Sequence, residues 1–157
     1  MIRYRNDLLC IGLIALAVVI WFHPFFVLGE VLVPPKATSA YPWYGTDAYT
    51  EPHPQGSFDT VRENYISWAL QDRYLDEGIA PTWNPYILNG NPMLANQFAI
   101  PYSPFKLLNV IFSAPVAWSW AIILKSFING LFTYLTLRAL KRGHVAATIS
   151  ALAWMLS

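Results

Sequence analysis

Residues 8–29 read LLCIGLIALAVVIWFHPFFVLG, 22 positions without a charge. Crossing a bilayer takes roughly 20 apolar residues at about 1.5 Å of rise each, so the run is long enough for one passage. A cleaved signal peptide is the competing reading, with an apolar core of about 7–15 residues ending at small side chains. Here the run continues into Trp21, Phe22, Phe25 and Phe26, which favours an uncleaved helix. His23-Pro24 is expected to kink or end that helix near its outer end. Proline has no N–H to donate and clashes with the preceding turn.

Two further apolar runs follow. VAWSWAIILKSFINGLFTYLTL covers 116–137, and VAATISALAWMLS covers 145–157, 13 residues and too short to span. The expectation is an all-α membrane protein with two full transmembrane helices, 8–29 and 116–137, and the start of a third at 145–157. On this reading the chain is the N-terminal piece of a larger protein that supplies further C-terminal helices. Composition agrees: 55% of residues are hydrophobic and 16% aromatic, and only 12% are charged, against about 25% in soluble domains. A net charge of +1 supplies no basic field for nucleic acid, and the single cysteine, Cys10, has no partner for an internal disulfide. Arg3 and Arg5 precede the first helix, and Arg138, Lys141 and Arg142 follow the second. Basic flanks stay in the cytoplasm, so the N-terminus is expected inside and the segment 30–115 outside.

That outer segment is far longer than the roughly 12–15 residues at which structureless connections become uncommon. Within it, DTVRENYISWALQDRYLDEG, 59–78, reads as an amphipathic helix lying in the membrane interface. Asp59 suits the N-cap and Gly78 the C-terminal stop. Val61, Tyr65, Trp68 and Leu75 share a face, with Ile66 and Leu70 beside it, and Arg62, Glu63, Arg73 and Glu77 lie away. Asp72 conflicts with this pattern. Either the apolar face meets an aqueous cavity, or the buried face is rotated by one residue.

WNPYILNGNPMLANQF, 83–98, is dense in Asn, Pro, Gly and aromatics. Pro81, Pro85, Pro92, Pro101 and Pro104 forbid a continuous helix, and Asn89-Gly90 signals a tight turn. The stretch is built to hold a shape, with Trp83, Tyr86, Phe98 and Tyr102 at the interface and Asn and backbone groups able to bond a sugar or a headgroup. Asp47, Glu51 and His53 form either a solvated acidic surface or a divalent-metal site. No glycine-rich phosphate loop, GxSxG or Cys/His metal spacing occurs, which argues against cytosolic-enzyme readings.

The chain resembles the YfhO-like family of bacterial membrane proteins, within the GT-C superfamily of glycosyltransferases. The resemblance rests on Asp59, Val61, Arg62, Trp68 and Gly78, then Trp83-Asn84-Pro85-Tyr86, Gly90, Pro92, Ala95-Asn96, Tyr102, Pro104 and Leu108. Gly130-Leu131-Phe132-Thr133-Tyr134 and Leu137-Arg138 extend it. Members often carry Gly-Gly where this chain has Asn89-Gly90, and they contain many more helices. The resemblance implies a multi-pass protein of the bacterial cytoplasmic membrane. It would move a sugar from a polyprenyl-phosphate donor to a glycan or lipid acceptor at the outer face, with inversion. The matching position for the general base is Asp59, whose bottom-up reading is a helix cap; the two roles are compatible. Trp83, Asn84, Tyr86 and Asn96 are the expected substrate-binding residues. Lys125 lies nine residues inside the second span, roughly 13 Å deep by the helical rise. It either snorkels to the headgroups or faces the bundle and pairs with the donor phosphate or an acidic partner. Ser126 and Gly130 have a small-xxx-small spacing that permits close helix packing. The other class of reading is a non-catalytic membrane protein whose outer loop binds lipid or a partner, or an inactive truncated fragment.

Overall fold

The structure is a computed structural model that describes residues 2–32, 64–87, 89–95 and 101–156, with side chains from residue 5 onward. It is mostly helical. Chain contacts divide it into two units, 1–30 with 120–157, and 31–119.

In the first unit, α1 (Ile2–Trp21) and α2 (His23–Leu28) carry the first apolar run. They are separated at Phe22, as the His23-Pro24 pair predicts. Pro24 cannot donate to the carbonyl of Ile20, and the His23 ring takes that place, with Nδ1 3.1 Å from Ile20 O. Proline then sits in the first turn of α2, where its missing N–H costs nothing. Gly29 ends α2 at φ +69°, and Glu30 N–H reaches back to Pro24 O at 3.1 Å.

This break changes the expected topology. Only residues 8–21 of the uncharged run are continuous helix, about 21 Å at 1.5 Å per residue. That falls short of a hydrocarbon core about 30 Å thick. Among the described residues one helix is long and apolar enough to cross a membrane, α4, Ala114–Ala139. Two full spans were expected and one is found.

The helix α4 opens with Pro115 in its first turn and closes where Arg142 N–H donates to Leu137 O and Lys141 N–H to Arg138 O. That pattern is a Schellman closure, with Lys141 in the left-handed position at φ +58°. After the turn comes α5, His144–Met155, which packs on α1. Gly130 of α4 makes the close approach its spacing suggests: a Cβ there would lie 3.0 Å from Ile14 Cγ2 and 3.2 Å from Met155 Sδ. Ile14, Ala147, Ala151 and Met155 are buried around it. Phe25, Phe26 and Trp120 stack edge to face at 5.4–5.7 Å. Near the other end of α1, the Asp7 carboxylate ties three helices together. It accepts from Tyr134 Oη at 2.6 Å and Arg138 Nε at 3.0 Å, and lies 3.2 Å from His144 Nδ1.

In the second unit, α3 (Ile66–Asp76) is followed by a hairpin of β1 (Trp83–Asn84) and β2 (Asn91–Pro92). Short 3-10 helices follow at Met93–Ala95 and Pro104–Val110. The Gly78 stop is present as a full Schellman motif. Ile79 N–H donates to Tyr74 O at 2.7 Å and Gly78 N–H to Leu75 O at 3.0 Å, with Gly78 at φ +69°. Ser119 joins the start of α4 to residue 32, donating to Pro115 O and accepting from Leu32 N–H, both at 2.8 Å.

Candidate functional site

The second unit holds most of the expected site. Asp59, Asn96, Asp47, Glu51 and His53 lie outside the described residues, as does the part of the 59–78 helix before Asn64. Trp83, Asn84 and Tyr86 are brought together in the hairpin. Lys125 belongs to the other unit, on an exposed face of α4.

The hairpin explains why its sequence is so specialised. Trp83 pairs with Pro92 and Asn84 with Asn91 in antiparallel register. The chain enters β2 through two successive residues with positive φ, Asn89 at +59° and Gly90 at +115°, a backbone that Asn and Gly adopt more readily than other residues. Gly90 N–H closes the turn on Ile87 O at 2.8 Å. Gly90 has a second task. A Cβ on it would lie 2.3 Å from Trp83 Cζ2, so only glycine lets the indole lie against the backbone. Asn84 is 4% exposed, and its Oδ1 accepts the Tyr86 N–H at 2.9 Å, an Asx turn. Its carbonyl oxygen is thereby engaged in holding the loop. Trp83 remains 50% exposed and Tyr86 71% exposed. The loop thus offers aromatic surface on a fixed frame.

The buried face of α3 runs through Ser67, Trp68 and Gln71, with Ile66 and Leu75 exposed. This is one position round from the expected face, and it settles the conflict over Asp72. Asp72 is half-buried and accepts from Asn109 Nδ2 of the 3-10 helix Pro104–Val110. Trp68 stacks edge to face on Trp118 at 5.4 Å, and Tyr65 stacks on the same ring at 5.7 Å.

Lys106 is the residue that the sequence reading missed. It is buried to 4% exposure, donates from Nζ to Trp68 O at 2.8 Å, and lies 3.9 Å from the Trp68 ring centroid. Burial pushes its pKa down to about 7, opposed by the negative charge of Asp72. Burial also pushes the Tyr65 phenol up, with Asp72 adding to the shift. Asn109 Oδ1, Trp68 Nε1 and Trp118 Nε1 are buried with no hydrogen-bond partner among the described residues. An available signal was that Lys106 is the lone charge in PFKLLNVIF, 104–112, the same signal that singled out Lys125. Lys106 also lines an open apolar cleft of about 320 Å³ with Leu75, Tyr102, Pro104, Leu107 and Val110. No group of three or more His, Cys, Asp or Glu side chains able to hold a metal occurs among the described residues. Set against models of known families, curated proteins and solved structures, the chain matches none of them.

Proposed function

We propose that this chain belongs to a membrane glycosyltransferase of the GT-C type, resembling the YfhO-like family. It takes a sugar from a polyprenyl-phosphate donor and passes it to a glycan or lipid acceptor at the outer face. One observation carries the reading. The residues on which the resemblance is most specific are those that build one hairpin: Trp83 pairs with Pro92, Gly90 lies under the indole, and Asn84 caps the turn at Tyr86. A loop whose backbone shape is fixed by its own residues rather than by charge fits a substrate wall, with the exposed faces of Trp83 and Tyr86 against a sugar ring.

In this reading α4 is one span, and α1 with α2 forms a second passage broken at Phe22. The N-terminus is cytoplasmic and residues 30–115 are outside. The acceptor oxygen attacks the anomeric carbon as Asp59 takes its proton. The bond to the phosphate oxygen breaks, its electron pair leaves with the polyprenyl phosphate, and configuration inverts. Lys125 is the candidate counter-charge for that phosphate. A divalent metal at Asp47, Glu51 and His53 is the alternative source of positive charge.

A non-catalytic lipid-binding protein is the second reading. It is favoured by the apolar cleft beside Lys106 and by the exposure of Leu107, Val110 and Ile111. A transfer assay on membranes carrying the protein, supplied with labelled polyprenyl-phosphate sugars, separates the two. Trp83→Ala is expected to lose about tenfold in kcat/KM, equivalent to about 1.4 kcal/mol, while Tyr86→Phe keeps its ring and most of its activity. No transfer from any such donor by the wild type, with lipid binding intact, establishes the second reading.

A further inference from the structure

Among the described residues, Lys106 is the only charged side chain lining the cleft of about 320 Å³ that it shares with Leu75, Tyr102, Pro104, Leu107 and Val110. An ammonium group carries three donors. Among the described residues one of them is placed, on Trp68 O at 2.8 Å, and no carboxylate forms an ion pair with the amine. The Trp68 ring, 3.9 Å from Nζ to its centroid, attracts the charge without neutralising it. Asp72 acts on the amine from the same helix as Trp68, and its carboxylate is engaged by Asn109. A cation that is 4% exposed and has donors left over calls for an anion beside it.

The walls of the cleft decide the rest of the ligand. They are apolar apart from Lys106 and the hydroxyls of Tyr102 and Ser103, so a polar molecule would leave its groups unpaired. The volume lies at the lower end of the range of ligand pockets, about 300–1,000 Å³. One turn of helix, about 10 Å across and 5.4 Å long, fills about 420 Å³ and does not enter. An extended peptide brings backbone N–H and C=O groups for which these walls hold almost no partners. A phospholipid brings two chains to a space that suits one. What fits is one hydrocarbon chain ending in one negative charge.

We propose that the cleft binds a single-chain anionic amphiphile, a fatty acid, with its carboxylate on Lys106 Nζ and its chain along Leu75, Leu107 and Val110. Leu107 and Val110 are 69% and 79% exposed, so a chain longer than the cleft continues over their side chains. The carboxylate accepts the donors that Trp68 leaves, and the chain covers apolar surface that water now meets. The cleft has this ligand whether or not the protein transfers sugar, and needs no membrane span.

The test uses the full chain in phosphatidylcholine nanodiscs, with dodecanoate, 1-dodecanol or phosphatidylglycerol added, and follows the 13Cε titration of Lys106. A bound carboxylate favours the ammonium form. Dodecanoate is therefore expected to raise the midpoint from about 7 to about 8 or above, which is about a tenfold preference of the ligand for the charged form. Dodecanol has the chain without the charge, and phosphatidylglycerol has the charge on two chains; both are expected to leave the midpoint in place. In parallel, a diazirine-bearing dodecanoic acid is expected to label residues 101–110 saturably, and Lys106→Met to weaken that binding at least about tenfold. A midpoint unmoved by dodecanoate, an equal rise with phosphatidylglycerol, or labelling of Lys106→Met as tight as that of the wild type overturns the proposal. The midpoint is read on the wild type, so a failure of Lys106→Met to fold does not spare it.

Discussion

Lys106 shows how a single side chain can organise its surroundings from a sequence signal no stronger than one charge in an apolar run. Its amine sits on the Trp68 ring and on the Trp68 carbonyl, 38 positions away in the chain. Burial disfavours the ammonium form, and Asp72 partly restores it. The 13Cε shift of Lys106 is expected to titrate with a midpoint of about 7, and Asp72→Asn to move the midpoint lower. A midpoint near the ordinary lysine value of about 10.4 contradicts the burial. The sign of the stability effect follows. Between pH 7 and about 10.4 the unfolded chain holds a proton that the folded chain has lost, so this unit gains stability as pH rises through that window. Below pH 7 both states are protonated and the contribution is flat. The lone charge in PFKLLNVIF marked Lys106 in the sequence, but its partners, 34 and 38 positions away at Asp72 and Trp68, were not legible there. Asn84 is a related case. Its residue type suggested sugar binding, and the structure gives its oxygen a backbone partner two residues on.

At the level of elements, local signals were read well and rotational ones poorly. Asn89-Gly90, Gly78 and His23-Pro24 each act within a few residues, through positive φ or a missing donor, and each is where the sequence placed it. The face of α3 is set by partners far along the chain. Lys106, Asn109 and Trp118 pack on Trp68 and Asp72, and so turn the helix by one position from its apparent apolar stripe. The first apolar run was read as one span because its length was counted across the His23-Pro24 break, although that break itself was expected. Gly90→Ala tests the hairpin. The added methyl falls within 2.3 Å of Trp83 Cζ2, so the indole must leave, at a cost of about 1–3 kcal/mol. With 5-fluorotryptophan, the Trp83 resonance is expected to move toward its solvent-exposed value, and cleavage by added protease at 87–91 to accelerate. An unchanged spectrum means that the ring does not lie on Gly90.

For the whole molecule, the account joins a helical unit, with one helix able to cross a membrane, to a unit whose hairpin presents aromatic surface. Its functional claim rests on Asp59, which lies outside the described residues, and it is tested most directly there. Asparagine caps a helix about as well as aspartate, so Asp59→Asn keeps any structural role. It cannot take a proton at neutral pH, so the general base is lost. The measurement is the rate of sugar transfer by membranes holding equal amounts of wild type, Asp59→Asn and the control Asp47→Asn. The account predicts a fall of about 10²–10⁴-fold for Asp59→Asn and near wild-type transfer for Asp47→Asn. Near wild-type transfer by Asp59→Asn would contradict it, reduce Asp59 to a cap, and move the base to Asp47, Glu51 or Glu63.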